Sequence, residues 1–70
     1  MTAGTYEGDR EALAFQRLMS TLFISYTPAG AITWLTSRNR HLDFKRPIDK
    51  WSMGYEDEVQ TAADLIDGGL

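Results

Sequence analysis

The fold is decided between residues 12 and 37, which read ALAFQRLMSTLFISYTPAGAITWLTS. In the first half of this stretch, apolar side chains recur at steps of three and four residues, which places them on one face of a helix. These residues are Ala12, Phe15, Met19, Leu22, Phe23 and Tyr26, with Leu18 beside them. Asp9 is of a type that caps helix N-termini, and Glu11 stands where the helix dipole favours negative charge. We therefore predict a first helix over residues 9–25.

Thr27-Pro28 ends this helix and starts another. Proline fits the first position of a helix, where no N–H is needed, and threonine caps such a start. A second helix is predicted from there to about Ser37. Its buried residues are expected to be Ala31, Trp34 and Leu35. Gly30 lies inside it, and because glycine weakens a helix by about 1 kcal/mol relative to alanine, its presence indicates close packing against a neighbour.

Beyond the second helix, residues 38–46 lack helical periodicity and are predicted to form a polar loop. Leu42 and Phe44 are its apolar exceptions, and we expect them to pin the loop to the core. Pro47 opens a short third helix, and Gly54 ends it as a left-handed C-cap. This third helix contains Ile48, Trp51 and Met53.

A fourth helix is predicted after Gly54. Its first turn carries three acidic residues, where the helix dipole favours them. They are Glu56, Asp57 and Glu58, and the apolar face behind them consists of Val59, Ala62, Ala63 and Ile66. Gly68-Gly69 ends the helix. The sequence therefore predicts an all-α fold, a small compact bundle of about four short helices, with a flexible N-terminus (residues 1–8) and one helical domain (residues 9–70).

The composition argues against an enzyme. The chain has no cysteine, which excludes thiolate metal sites and cysteine nucleophiles, and with His41 as its one histidine it has no imidazole cluster. His41, Asp43 and Ser37 share a short loop without a scaffold to orient them, so we expect no catalytic triad. The acidic run at residues 56–58 lacks the glycine and the spacing of a calcium loop. We predict no catalytic residues, no metal and no cofactor.

Charge is distributed unevenly along a chain whose net charge is −3. Residues 38–50 hold five basic side chains against two acidic ones, whereas from Trp51 onward there are five acidic side chains and no basic one. The acidic end predicts a basic partner surface. The candidate nucleic-acid contacts are Arg38, Arg40, Lys45 and Arg46. The second helix lacks the Arg, Asn or Gln side chains of a base-reading helix, so we do not expect nucleic acid to be the main partner.

The sequence predicts neither a membrane span nor export. The longest uncharged run, between Leu18 and Arg38, is interrupted by Ser, Thr, Tyr, Pro and Gly. The N-terminus lacks a basic segment followed by an apolar one. We expect a cytoplasmic protein.

The order of motifs from Pro28 onward resembles a known family. Residues 28–42 read PAGAITWLTSRNRHL, and they are followed by Arg46-Pro47-Ile48-Asp49, Met53-Gly54, Glu58-Val59 and Ile66-Asp67-Gly68. This order resembles the toxin-binding domain of the Xre/MbcA/ParS antitoxins, in which a small residue precedes Trp-Leu, an Asn and a Leu follow, and a Gly-x-x-x-x-Val helix ends in glycine. The resemblance covers residues 12–69. Between Leu42 and Pro47 the family usually carries glycines, where this chain has Asp43-Phe44-Lys45-Arg46.

This resemblance implies an antitoxin that neutralises a toxin enzyme using NAD, either a RES-domain NAD-degrading enzyme or an ADP-ribosyltransferase. It also implies that the C-terminal helix and tail block the toxin's active site. The partner-binding residues would then be Trp51, Asp64, Asp67, Gly68, Gly69 and Leu70. The residues agree with such a role, because a pocket that binds a pyrophosphate is usually lined by Arg or Lys, which an acidic helix end complements.

Two alternatives stay open at the level of sequence. The chain could be a small helical DNA-associated transcriptional regulator or adaptor that uses its basic residues 38–50. Separately, the apolar stripe from Phe15 to Phe23 could join two copies of the chain as a homodimer, because four short helices leave this face with limited cover.

Overall fold

Four α-helices and a 3-10 turn follow one another in the computed structural model, which describes residues 4–68 and, within them, the side chains of residues 9–66. The helices are α1 (Gly4–Ser25), α2 (Pro28–Thr36), α3 (Pro47–Ser52) and α4 (Glu56–Gly68), and the 3-10 turn covers Arg40–Leu42. No strand occurs among these described residues, although Asn39 and Lys45 form an isolated antiparallel bridge. The predicted all-α bundle is confirmed.

Helix α1 begins at Gly4, five residues before the predicted start at Asp9. Asp9 therefore lies inside the helix and does not cap it, so this boundary was predicted wrongly. Aspartate is favoured at an N-cap but is tolerated inside a helix, so the presence of Asp9 did not fix this boundary. The mobility predicted for residues 1–8 stays a prediction, and residues 1–3 lie outside the described part of the chain.

The break between α1 and α2 follows the Thr27-Pro28 signal. Thr27 has an extended backbone (φ −69°, ψ 167°), and its Oγ1 accepts a hydrogen bond from the Gly30 N–H at 3.2 Å. A Cβ added at Gly30 would lie 3.3 Å from the Tyr26 Cβ. The close packing predicted at Gly30 is therefore confirmed, and the neighbour is Tyr26, the first of the two residues between the helices.

The core joins α1, α2, α4 and the 3-10 turn. Its buried apolar residues are Leu18, Leu22, Ala31, Leu35, Leu42, Val59, Ala62 and Ala63. Met19, Tyr26, Trp34, Trp51 and Ile66 pack around them and are partly buried. The predicted apolar face of α4 is thus confirmed, and its small residues Ala62 and Ala63 let α4 lie close to α1. Each fully buried leucine contributes about 2 kcal/mol through its removal from water.

The loop after α2 is fixed by Asn39 and Leu42. The Asn39 carbonyl accepts hydrogen bonds from the N–H groups of Leu42 and Phe44, both at 2.9 Å, and the Asn39 Oδ1 accepts one from the His41 N–H at 2.8 Å. Leu42 is only 2% exposed and pins the loop to the core, as predicted. Phe44 is 66% exposed, so the expectation that it also pins the loop is wrong. The backbone is left-handed at residues 43 and 44, and the Phe44 ring lies in solvent.

Helix α3 and its C-terminus match the local signals in the sequence. Pro47 opens the helix and is buried. Gly54 follows the helix with a φ of +93°, a value that strains any residue with a Cβ. Its N–H donates to the Trp51 carbonyl at 3.0 Å, which confirms the predicted left-handed cap.

None of the helices in residues 4–68 has the length and apolar character needed to cross a membrane.

Candidate partner-binding surface

Helix α4 turns one face into the core and an acidic face outward. Val59, Ala62 and Ala63 are buried, whereas Asp57, Glu58, Thr61, Asp64 and Leu65 are exposed. Asp57, Thr61 and Asp64 recur at steps of four and three residues, so they lie along one side of the helix. We call Asp57, Glu58 and Asp64 the acidic face. No basic side chain lies on α4 itself, although Glu58 is paired with Lys50 of α3.

Gln60 fixes the acidic face to α1. Its side-chain amide is buried and donates two hydrogen bonds, to the Thr21 Oγ1 at 3.0 Å and to the Asp64 Oδ1 at 2.9 Å. Thr21 Oγ1 in turn donates to the Arg17 carbonyl at 3.0 Å. Asp64 is therefore held in one orientation by a residue that the sequence analysis did not single out. The sequence does carry a signal for this role, because Gln60 is a polar residue on the otherwise apolar, core-facing side of α4.

Lys50 lies in α3 and is paired with Glu58 of α4, so it does not add to the exposed basic loop. Only 6% of this residue is exposed. Its Nζ lies 3.0 Å from the Glu58 Oε1 and 4.2 Å from the centre of the Tyr55 ring, which adds a cation–π contact. One of the five basic residues in the 38–50 segment is therefore unavailable to a partner.

A cleft of about 300 Å³ separates the 3-10 turn from α4. Its lining comprises His41, Asp57, Glu58, Thr61, Ala62 and Leu65. The Ser37 Oγ donates to the Thr33 carbonyl at 2.6 Å, so its proton is not directed at His41. Among the described residues, no three side chains of metal-ligating type come close enough to hold a metal ion.

The four predicted nucleic-acid contacts are all exposed, but the structure does not bring all of them together. Arg38, Lys45 and Arg46 line a concavity of about 660 Å³, whereas Arg40 lies outside it in the 3-10 turn. Arg46 is bound to Asp49 through two hydrogen bonds, Nε to Oδ2 at 2.8 Å and Nη2 to Oδ1 at 3.0 Å. The hydrogen bond from Arg46 lowers the pKa of Asp49, and the same bond raises the pKa of Arg46.

The predicted partner-binding residues fall into two places. Trp51 is partly buried in α3 and packs edge to face on Phe15 of α1, with ring centres 5.7 Å apart. Asp64 lies on the acidic face, about two turns along α4 from the end nearest Trp51. The backbone of Asp67 and Gly68 completes α4. The Asp67 side chain, Gly69 and Leu70 lie outside the described residues.

The apolar stripe on α1 is partly covered. Leu22 is buried, whereas Phe15 and Phe23 are 45% and 49% exposed. These two rings would be available to a second copy of the chain, and self-association through them stays a prediction.

The fold is a small all-α domain. Its acidic side chains are concentrated on α4, and most of its exposed basic side chains lie in the loop that follows α2. No protein-family model matches the chain, and no solved structure does. The chain is similar to the probable mycobacterial cidal antitoxin Rv3188 of Mycobacterium tuberculosis, with 40% identity over 52 residues. The match covers 73% of this chain and 45% of the relative, so the chain spans less than half of the relative's length.

Proposed function

We propose that the chain is an antitoxin-type domain of the Xre/MbcA/ParS kind that binds and neutralises a toxin protein. The observation that carries this proposal is the 40% identity with a protein named as an antitoxin, over 52 residues. The ordered motifs from Pro28 to Gly68 support the narrower family. The chain acts by occupying its partner and performs no reaction of its own, and it works in the cytoplasm, where NAD-using toxins find their substrate.

The acidic face supplies the chemistry of the contact. A cleft that binds the pyrophosphate of NAD presents Arg or Lys side chains, and Asp57 and Asp64 offer carboxylates to such a cleft. Asp67 lies in the last turn of α4, and we expect it and residues 68–70 to reach farthest into the cleft. Trp51 stands beside the start of α4 and would add an aromatic contact at its exposed edge. Blocking the cleft in this way prevents NAD from entering.

The test is inhibition of the toxin by charge-reversed variants of the full chain. The probe is the purified protein encoded by the adjacent reading frame, and the readout is its consumption of NAD. We expect Asp64→Lys together with Asp67→Lys, and separately deletion of residues 68–70, to abolish inhibition while the helical circular dichroism spectrum is retained. The matched control, Asp9→Lys with Glu11→Lys, makes the same change in net charge on α1 and should inhibit like the wild type.

Full inhibition by the Asp64/Asp67 variant would refute the role of the acidic face. If the wild-type chain itself neither binds nor inhibits the neighbouring protein, the antitoxin proposal fails. Equal loss of inhibition in the α1 control would mean that only net charge matters, which would also refute a localised contact.

The alternative function is a DNA-associated regulator that uses residues 38–50. Among the described residues, the structure leaves fewer unpaired basic side chains for this role than the sequence suggests. Lys50 is buried against Glu58 and Arg46 is bound to Asp49. Arg38, Arg40 and Lys45 remain for phosphate contacts, which predicts a logarithmic salt slope of roughly −3 in a mobility-shift titration. Absence of any shift at low salt removes this alternative.

A further inference from the structure

The backbone at the tip of the basic loop is left-handed at two successive residues. Asp43 has a φ of 57° and Phe44 a φ of 61°. Aspartate tolerates this region because its short side chain bonds locally, but a bulky aromatic residue there is a clear outlier. The Asn39 carbonyl accepts hydrogen bonds from Leu42 and Phe44, and Leu42 is buried. Together these contacts hold the backbone of residues 43 and 44 at these angles.

Burial of the Phe44 ring in the core does not compensate for this strain. The residue is 66% exposed, and Met53, which lines the same concavity, is 59% exposed. A strained residue that the core does not require commonly marks a functional position. An exposed aromatic side chain on a rigid loop is also the usual form of an interface anchor, because little freedom is lost on binding.

The charges around Phe44 favour a protein partner over a nucleic acid. Arg38 and Lys45 form no ion pair within the part of the chain that the structure describes. Asp43 lines the same concavity and would repel a phosphate backbone, and the Arg46–Asp49 pair beside it contributes no net charge to attract one. A protein surface can place single carboxylates opposite Arg38 and Lys45 and keep them away from the two aspartates.

We propose that Phe44 anchors a second contact between this chain and its toxin, by inserting its ring into an apolar pocket bordered by acidic side chains. Arg38 and Lys45 pair with those acidic groups. This contact rests on the proposed antitoxin function, but it is separate from the acidic face of α4. The toxin would thus be held at two places of opposite charge.

Two substitutions distinguish the contribution of the Phe44 ring to binding from the effect of its left-handed backbone on stability. Phe44→Ala and Phe44→Gly both remove the ring, so both should weaken binding to the purified protein of the adjacent reading frame by about tenfold or more. Glycine alone also relieves the left-handed backbone, so Phe44→Gly should melt about 5 °C above Phe44→Ala. Ile24→Ala is the matched control, because Ile24 is likewise 66% exposed but lies on α1. It should bind like the wild type.

Each result has one meaning in a calorimetric titration with the toxin. Phe44→Ala within twofold of the wild type overturns the anchor while the antitoxin function stands. A wild-type chain that does not bind overturns both. Equal loss in Ile24→Ala overturns the localised anchor. A mobility shift of single-stranded or duplex DNA that is lost in Phe44→Ala, with toxin binding retained, assigns the loop to nucleic acid and overturns the protein contact.

Discussion

Replacing Glu58 by Gln tests how the acidic helix is tied to α3. Lys50 is 6% exposed, and its ammonium group has Glu58 and the Tyr55 ring as its contacts at 3.0 and 4.2 Å. Glutamine keeps the shape of the glutamate but removes the countercharge. The Lys50 ammonium is then left buried with the aromatic ring and no carboxylate, and this raises the free energy of the folded state.

The expected size of the effect lies between two known limits. Removing one partner of a fully buried ion pair costs about 3–5 kcal/mol, whereas a pair at the surface contributes about 0–1 kcal/mol. The Lys50 side chain is 8% exposed but that of Glu58 is 52% exposed, so water screens the pair from one side. We expect Glu58→Gln to cost about 1–2 kcal/mol. For a domain of this size, that loss lowers Tm by about 4–16 °C.

Lys50→Met should behave differently. It removes the buried charge and keeps an apolar stem, and Glu58 is exposed enough to be solvated alone, so we expect a change within about 1 kcal/mol of zero. Glu58→Gln should then cost nothing further in the Lys50→Met background. Thermal unfolding of the four proteins, followed by circular dichroism at 0.15 M salt, gives the coupling. The reasoning is refuted if Lys50→Met destabilises more than Glu58→Gln, or if the two effects add within about 0.5 kcal/mol.

Two further predictions concern the loop and its ion pair. Leu42→Ala should lower the free energy of unfolding by about 2–5 kcal/mol, enough to unfold much of so small a domain at 25 °C. Leu42→Met should lower it by less than about 1.5 kcal/mol. Similar melting curves for the two variants would contradict the role of Leu42. Arg46 lowers the pKa of Asp49, so the folded state favours the charged form of this carboxyl group. The resulting stabilisation is present above the ordinary aspartate pKa of about 3.9. It is lost as the pH falls through the lower pKa of the folded state. Asp49→Asn should therefore flatten the loss of stability below about pH 4 in acid titrations, and an unchanged titration curve would count against the pair.

Local chemistry made most helix boundaries predictable. Thr27-Pro28, Pro47 and Gly54 each impose a backbone geometry that needs no knowledge of the rest of the chain. The start of α1 was predicted too late because Asp9 is of a type that caps helices, whereas the residue before Gly4 in the sequence is an alanine, which carries no capping group. Phe44 was misplaced because hydrophobicity alone does not reveal the path of a loop backbone.

The surface was predictable in its charge but not in its connections. The run Glu56 to Glu58 and the later Asp64 showed from the sequence that α4 would be acidic. Nothing in the sequence showed that Lys50 would be buried against Glu58, or that Gln60 would hold Asp64, because both depend on how α1, α3 and α4 meet. The roles assigned to Trp51 and to residues 67–70 stay predictions.

The bond from Gln60 to Thr21 has a consequence for the speed of recognition. Gln60 joins α4 to α1 through Thr21 and also holds Asp64, so the Asp64 carboxylate is oriented before any encounter with the proposed partner. A segment that orders only on contact loses conformational entropy at that moment and often waits for a rare arrangement. Under the proposed function, α4 would dock as a rigid body, and the rate of capture would be governed by diffusion and long-range attraction.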